Sequence, residues 1–291
     1  MKNNYFAICL AVLFSAGVQA ELSARQIMEK VDQNVRQSND SAFSVSVLSS
    51  CRFVQRDRQV VCSDQPRVKK LETVSKQYGR QLKDSRVISV VLEPAADRGV
   101  GMLTYSYDDD QKDTESWLYL SALGKVKRLA SGDDDKEPVA FFGSEFTTED
   151  MESGKTDEYD YRILQQGQYG QRPVWVVEAT PTAARRNKTR YSKVLMWVDK
   201  ERFLVIKAQP FDKQGKAWKR IIARDIEQVA GHWIARDAQV FNMKSRRMSR
   251  LITEAITLGV AVDDEFLTQR TLTDKAFREQ GLARLRAAAV Q

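Results

Sequence analysis

The chain has 291 residues, of which 42% are hydrophobic, and its formal net charge at pH 7 is +7. This length permits one large domain or two small ones, and no Pro-, Gly- or Ser-rich linker favours two. Basic and acidic residues are interspersed without a Lys- and Arg-rich block that contains aromatic side chains, so the charge does not indicate nucleic-acid binding. The excess charge favours an anionic membrane surface or phospholipid headgroup as a partner, with an ordinary solvated surface as the alternative.

Residues 1–20 have the features of a secretory signal peptide. Lys2 supplies a positive start, Tyr5–Val18 is almost entirely apolar or small, and Val18-Gln19-Ala20 is a small-x-small cleavage site. Cys9 lies inside the apolar run, unlike the cysteine of a lipid-anchored protein. We therefore expect cleavage after this site and a periplasmic protein without a lipid anchor.

The elements that follow change from helix to strand near residue 42. Residues 21–37 predict a helix, because their apolar residues Leu22, Ile27, Met28, Val31 and Val35 lie along one face. Beyond it, apolar and polar residues alternate with the period of two that is typical of half-buried strands. The predicted strands are 43–47, 68–78, 87–92, 102–107, 117–120, 125–129, 159–165, 174–180, 191–198, 203–209, 217–228, 233–241 and 249–257. Two helices are predicted at 263–268 and 273–288.

This series of strands and turns predicts the fold class. Regular turns between strands of similar length indicate a large antiparallel sheet that curls on itself. The sequence therefore predicts a mainly β (α+β) protein, in which a barrel or half-barrel has helices packed against it. A sheet of this size is wide enough to hold a cavity rather than a solid core.

Cys51 and Cys62 remain after the expected cleavage, and eleven positions separate them. In an oxidising compartment this spacing predicts a disulfide across a hairpin. Closing so short a loop contributes about 2–3 kcal/mol. Redox catalysis would favour a C-x-x-C spacing, so a structural role is the better interpretation.

The sequence offers few groups for catalysis. His232 is the single histidine, and no G-x-S-x-G motif accompanies it. The sequence lacks the set of His and Cys ligands that a zinc site needs, and it lacks a Gly-rich phosphate-binding loop. The acidic runs Asp108–Asp110 and Asp133–Asp135 lack the spacing of a calcium loop. We therefore expect no enzyme activity, metal or cofactor. Hydrolysis of a lipid or glycan by a pair of carboxylates is the alternative.

Phe141 and Phe142 form an apolar pair in a long loop between charged segments. Such a pair either plugs the mouth of a barrel or contacts a ligand.

Two segments of the chain resemble the outer-membrane lipoprotein-sorting proteins of the LolA/LolB-like superfamily. They are Ser116–Arg128 (SWLYLSALGKVKR) and Phe142–Met151 (FGSEFTTEDM). They are similar to the W-L-Y-L-P-A-L-x-x-V-K-R and F-x-G-S-D-F-T-Y-E-D segments of that family. Pro94–Gly99 and Asp264–Phe266 fit the same pattern, and the likeness extends roughly from Ala24 to Leu272.

The resemblance implies an unclosed antiparallel β-barrel lidded by helices, with an apolar cavity. It places this domain at residues 21–272 and a C-terminal helical extension at 273–291. The implied function is a periplasmic carrier that passes a lipid or lipoprotein acyl chain between membrane components, with transient contact to a membrane surface. The implied partner is an RND/MMPL-type inner-membrane exporter. An accessory protein-interaction subunit of such an exporter, without a ligand of its own, is the alternative.

The expected ligand contacts follow from the two motifs. Seven residues are expected to line or gate the cavity: Trp117, Tyr119, Leu120, Leu123, Phe141, Phe142 and Phe146. Three basic residues are expected to steer an anionic headgroup or to form a partner surface: Lys125, Lys127 and Arg128. Because successive side chains of a strand point to opposite faces, the sequence does not decide whether Trp117 and Tyr119 or Leu118 and Leu120 face inward.

Overall fold

The computed structural model describes residues 21–38, 40–57, 59–79, 81–109, 111–129, 139–152 and 155–289. The expected signal peptide at 1–20, Asp110 and the acidic run Asp133–Asp135 lie outside the described residues. The α-helices are α1 (Ala24–Ser38), α2 (Ala183–Arg186), α3 (Gln269–Thr273) and α4 (Lys275–Ala289). Single turns of 3-10 helix occur at Ala95–Asp97, Phe141–Gly143, Glu149–Met151, Thr156–Glu158 and Asp264–Leu267.

The strands follow the predicted alternation closely. In chain order they are β1 (Ser41–Arg56), β2 (Gln59–Cys62), β3 (Arg67–Tyr78), β4 (Asp84–Glu93), β5 (Gly101–Ser106), β6 (Glu115–Leu120), β7 (Lys125–Leu129), β8 (Tyr159–Tyr169), β9 (Arg172–Pro181), β10 (Lys193–Asp199), β11 (Leu204–Phe211), β12 (Lys219–Val229), β13 (His232–Asn242) and β14 (Arg247–Leu258).

The strands form one antiparallel sheet in the order β7-β6-β5-β4-β3-β1-β14-β13-β12-β11-β10-β9-β8, and β2 pairs with the end of β1. Two sequential meanders therefore meet where β1 pairs with β14. At this junction the hydroxyl oxygens of Ser50 and Ser249, 199 positions apart in the chain, are 2.7 Å apart. Strands β7 and β8 form the two edges of the sheet, so the prediction of a large, unclosed antiparallel sheet is confirmed.

Both faces of the central strands are covered. In β4, Ile88 and Val90 point to one face, Ser89 and Val91 point to the other, and all four are almost completely buried. We call the face of Ile88 and Val90 the outer face and that of Val91 the inner face. A strand that is covered on both sides buries consecutive residues, which explains the dense apolar run of β4.

The C-terminal helices pack on the outer face. Leu272, Leu282 and Leu285 join Ile88 and Val90 in one buried cluster. The guanidinium group of Arg286 in α4 also donates two hydrogen bonds, of 2.5 and 2.6 Å, to the carboxylate of Glu72, which is 3% exposed. The residues of the predicted C-terminal extension thus contribute to the core of the sheet.

The connection from β7 to β8 has to pass from one edge of the sheet to the other. Its described residues, 139–152 and 155–158, are called the crossing segment. Phe141 and Phe146 of this segment are buried on the inner face against Leu48, Leu71 and Val240, which belong to three different strands. The topology of the sheet therefore places the FGSEFTTEDM motif across its inner face.

Helix α1 covers the inner face of the C-terminal meander. Ile27, Met28 and Val31 pack against Val177 and Val198, as the predicted apolar face of this helix requires. The helix contacts β8, β11 and β13. In a flat sheet β8 and β13 would lie roughly 24 Å apart, so the sheet must curve around the helix. The prediction of a curved sheet lidded by helices is confirmed.

The predicted disulfide is present in a hairpin formed by the end of β1 and β2. Cys51 and Cys62 are bonded, with their Cα atoms 5.7 Å apart. Phe53 pairs with Cys62, so the bridge ties the two arms of the hairpin near its open end.

Candidate functional site

A cavity of about 440 Å³ lies between α1, the inner face of β8 to β12, and the crossing segment. We call it the α1 cavity. Its volume is within the range of roughly 300–1,000 Å³ that is usual for ligand pockets. Its apolar lining consists of Met28, Val31, Val35, Met151, Ala179, Val194, Met196, Leu204, Val205, Ala208, Pro210 and Ile221. Its polar lining consists of Asp32, Glu149, Asp150, Glu152, Lys155, Thr156, Tyr159, Tyr161 and Tyr191.

The floor of the cavity is a row of cross-strand neighbours. Met196 in β10 pairs with Val177 in β9 and with Ala208 in β11, and Ala208 pairs in turn with Ile221 in β12. Residues that pair across strands share a face, so all of them point toward α1. The small side chains of Ala208 and Ala179 leave space that larger residues would fill, and the cavity lies over them.

One end of the cavity is bounded by hydrogen-bonded polar residues. The carboxylate of Asp150 in the crossing segment accepts hydrogen bonds from the hydroxyl groups of Tyr191, at 2.6 Å, and Thr147, at 2.9 Å. The ammonium group of Lys219 also donates to it. Burial, together with the nearby carboxylate of Asp150, raises the pKa of Tyr191 well above its ordinary value. Tyr191 is therefore a neutral hydrogen-bond donor at neutral pH.

A second polar cluster surrounds Arg185 in α2. Its guanidinium group lies 2.8 Å from Glu152, 3.1 Å from Glu158 and 3.6 Å from Glu149. Burial opposes its charge, but these carboxylates outweigh that effect and raise the pKa of Arg185. Burial also raises the pKa of Glu149, although Arg185 partly offsets this effect. These contacts attach the crossing segment to the C-terminal meander at the rim of the α1 cavity.

Two tyrosines of β8 complete the polar lining without adding charge. Burial raises the pKa of Tyr159 to about 12 and raises that of Tyr161 further. Both side chains therefore present neutral phenol groups at neutral pH. An apolar cavity with a few hydroxyl groups and a polar rim is suited to a ligand with a long apolar part.

The structure separates the expected ligand contacts onto two faces. Trp117 and Tyr119 lie on the outer face, where they pack against the cluster that includes the C-terminal helices. The ring of Trp117 contacts that of Tyr105 edge to face, with centroids 5.0 Å apart. Leu120 has the inward orientation of Leu118, which pairs with Met102. Leu123 lies in the turn after β6 and is 65% exposed.

The three phenylalanines of the crossing segment lie on the inner face. Phe141 and Phe146 are buried, and Phe142 is partly buried beside Phe141, with ring centroids 4.8 Å apart. These side chains pack over the middle strands of the sheet. Of the seven predicted contacts, none belongs to the lining of the α1 cavity in the described part of the chain.

The three predicted basic residues belong to β7, at the far edge of the sheet. Lys125, Lys127 and Arg128 are exposed. Arg128 is within 2.5 Å of the carboxylate of Glu115, so part of its charge is already compensated. The structure does not place these residues at the α1 cavity.

Sequence reasoning missed the residues that do form the cavity. The apolar face of α1 and the alternation of β10 were both visible. Recognising that Val31 and Met196 face the same space requires knowing which strands lie under the helix, and only the pairing register supplies this.

Other groups considered in the sequence have ordinary surroundings. His232 begins β13 and pairs with Val229. Among the described residues, no group of three or more His, Cys, Asp or Glu side chains could hold a metal ion. No helix in this part of the chain is long and apolar enough to cross a membrane.

Several solved structures have the same fold. A DUF1329 family protein from Desulfovibrio piger is 23% identical, with a TM-score of 0.74 over 86% of this chain and 97% of its own. A domain from Vibrio parahaemolyticus that is named for outer membrane lipoprotein sorting is 19% identical, with a TM-score of 0.73 over 86% and 98%. A LolA superfamily protein from Nitrosomonas europaea is 20% identical, with a TM-score of 0.60 over 85% and 98%.

These similarities establish the fold, and the resemblance to the LolA/LolB-like superfamily is confirmed at that level. A comparison with curated proteins gave no match. A family model described as "Uncharacterized protein" matches residues 83–274, roughly two thirds of the chain. The chain therefore belongs to the family that this model defines and has the LolA-like fold.

Proposed function

We propose that the protein is a non-enzymatic periplasmic carrier that binds the acyl chain of a lipid or lipoprotein in the α1 cavity and passes it between membrane components. The observation that carries this proposal is the cavity of about 440 Å³ under α1, whose floor is apolar. The similarity of the fold to a domain named for lipoprotein sorting supports it.

The energetics of acyl transfer require shielding rather than catalysis. Burying a methylene group contributes about 0.8 kcal/mol. Exposing a 16-carbon acyl chain to water therefore costs a free energy on the order of 10 kcal/mol. A cavity that excludes water along part of the chain reduces this cost. Met196, Val194 and Met28 supply apolar contacts for this purpose. Methionine side chains adapt to ligands of different shape, which suits a carrier.

The binding step can be tested with 11-(dansylamino)undecanoic acid, whose fluorescence rises in an apolar environment. We expect saturable binding to the wild-type protein. Val194→Trp places a large side chain in the cavity and should reduce binding at least tenfold. Leu195→Trp is the matched control, because Leu195 is the next residue of the same strand, lies opposite Gln209 and Glu178, and does not line the cavity. This control should bind like the wild type.

Two results would contradict the carrier. One is no uptake of the probe together with no lipid in organic extracts of gently purified protein, measured by mass spectrometry. The other is an equal loss of binding in both tryptophan variants. The first result would favour the alternative, an accessory subunit without a ligand.

Export and the transport partner belong to the same proposal. N-terminal sequencing of protein from the periplasmic fraction should give Glu21 as its first residue. Cross-linking in cells should capture an RND/MMPL-type inner-membrane exporter. Retention of residues 1–20 in a cytoplasmic protein would contradict the periplasmic part.

A further inference from the structure

The outer face of the C-terminal meander carries two neighbouring cations, Lys207 in β11 and Arg220 in β12. Lys207 pairs with Trp197 on one side and Ile222 on the other, and Arg220 pairs with Phe241. Lys207 and Ala208 alternate along β11, and Ala208 lines the α1 cavity. Lys207 therefore points away from the cavity, to the opposite side of the sheet.

Both cations lie over aromatic rings. The Nζ atom of Lys207 is 3.8 Å from the centroid of the Trp197 ring, and the guanidinium carbon of Arg220 is 4.9 Å from that of Phe241. A ring attracts the positive charge but accepts no conventional hydrogen bond from the N–H groups. The rings therefore hold the two side chains in place, but they do not accept hydrogen bonds from the N–H groups.

Within the described residues, neither Lys207 nor Arg220 has a hydrogen bond or an ion pair to another side chain or to the backbone. The Nε atom of Arg220 is buried and lacks an acceptor. Other cations on this sheet have a carboxylate partner. Lys193 lies 2.9 Å from Glu178, and Arg250 lies 2.9 Å from Asp237.

The two charges also oppose each other. Burial lowers the pKa of Lys207, and the positive charge of Arg220 lowers it further. A buried donor without an acceptor and two like charges without a counter-charge are both unfavourable. An oxyanion that contacts both side chains would supply the missing counter-charge.

We propose that Lys207 and Arg220 form a binding site for a phosphate-type oxyanion on the outer face of the sheet. Arg220 provides planar N–H donors that match two oxygens of such a group, and Lys207 provides a compact positive charge beside it. The phosphate belongs to a phospholipid headgroup or is free in solution. This site is distinct from the α1 cavity and does not depend on the carrier function.

The test uses the full mature chain and two probes. Inorganic phosphate is titrated by isothermal calorimetry. Vesicles of phosphatidylcholine with one quarter phosphatidylglycerol are used for co-sedimentation at low ionic strength, with pure phosphatidylcholine vesicles as the reference. The variant Lys207→Gln/Arg220→Gln should lose at least tenfold in affinity for the probe that binds. Binding of vesicles alone identifies the headgroup as the source of the phosphate, and binding of phosphate alone identifies the free ion.

The control removes the same charges elsewhere. Lys275→Gln/Arg284→Gln changes one lysine and one arginine that are exposed on α4, and it should bind within twofold of the wild type. Equal losses in the two double variants would overturn the proposal, because general charge attraction would then explain binding. No binding of either probe would also overturn it. Lys207→Gln alone, with its thermal unfolding measured, keeps the test valid if the double variant misfolds. Dansylated fatty-acid binding should be unchanged in all variants, which separates this site from the carrier cavity.

Discussion

The ammonium group of Lys219 lies 2.5 Å from the carboxylate of Asp150, and the two side chains are only 2% and 1% exposed. Lys219 belongs to β12 and Asp150 to the crossing segment. The pair therefore attaches the segment that passes over the inner face to the strand beneath it. Because Tyr191 and Thr147 also donate to Asp150, the carboxylate is fully engaged in the folded protein.

Lys219→Met should be strongly destabilising. The substitution leaves the carboxylate of Asp150 buried without its cation, and breaking such a pair costs about 3–5 kcal/mol. Urea denaturation followed by circular dichroism measures the loss. The control is Lys70→Met, because Lys70 pairs with Glu254 where both side chains are well exposed. A similar loss in both variants would show that burial of the pair is not what matters.

Removing the disulfide should weaken the fold without changing it. Cys51→Ala/Cys62→Ala releases an 11-residue loop, and the expected loss in the free energy of unfolding is about 2–3 kcal/mol. The binding of dansylated fatty acid should persist, because neither cysteine lines the α1 cavity. Thermal unfolding with and without a reductant measures the effect. A wild-type protein that is insensitive to reductant would contradict the prediction.

Gly281→Ala should destabilise the docking of α4. A Cβ atom at this position would overlap the ring of Phe266, although alanine is the better helix former. Overpacking of this kind costs about 1–3 kcal/mol. Gly167→Ala is the control, because a Cβ atom there would meet nothing within 4 Å. Phe266→Leu in the Gly281→Ala background should restore part of the loss, and a further loss would contradict the overlap.

Asp199 should contribute to the acid limit of stability. Burial alone would raise its pKa, but the Arg172 guanidinium and the backbone N–H groups of Glu201 and Arg202 hold the pKa of Asp199 below its ordinary value. The stabilisation is therefore complete above about pH 4, the unfolded value, and is lost as the pH falls through the lower folded value. In Asp199→Asn the difference in stability from the wild type should be large at pH 7 and smaller at pH 3. A difference that is independent of pH would contradict this linkage.

The sequence predicted the strands well because alternation is a local property. Ser89 and Val91, or Trp117 and Tyr119, lie two positions apart and share a face whatever else the chain does. Which face is the inner one depends on pairing and on the path of the crossing segment. For this reason the pattern predicts the fold class, whereas the motif predicts Trp117 and Tyr119 in the cavity and the structure has them on the outer face.

The motif that carried the resemblance also has a physical role that the sequence did not reveal. In the segment FGSEFTTEDM, the carboxylate of Glu145 accepts hydrogen bonds from Asn242 at 2.7 Å and from Arg247 at 2.9 Å, about a hundred positions away. Asp150 is held by Lys219 in the same way. Such partners are unpredictable from local spacing, because they come together only when the two meanders join.

The position of β1 between β3 and β14 has a consequence for synthesis. The ribosome completes β1 and β3 early, but β14, the second neighbour of β1, emerges about 200 residues later. Until then β1 is an unpaired edge of the first meander, with free N–H and C=O groups that can pair with another chain. Late closure of such a non-local contact slows folding and exposes the chain to aggregation. An edge of β1 that stays free of other chains until the last strand arrives therefore favours correct closure of the sheet over aggregation.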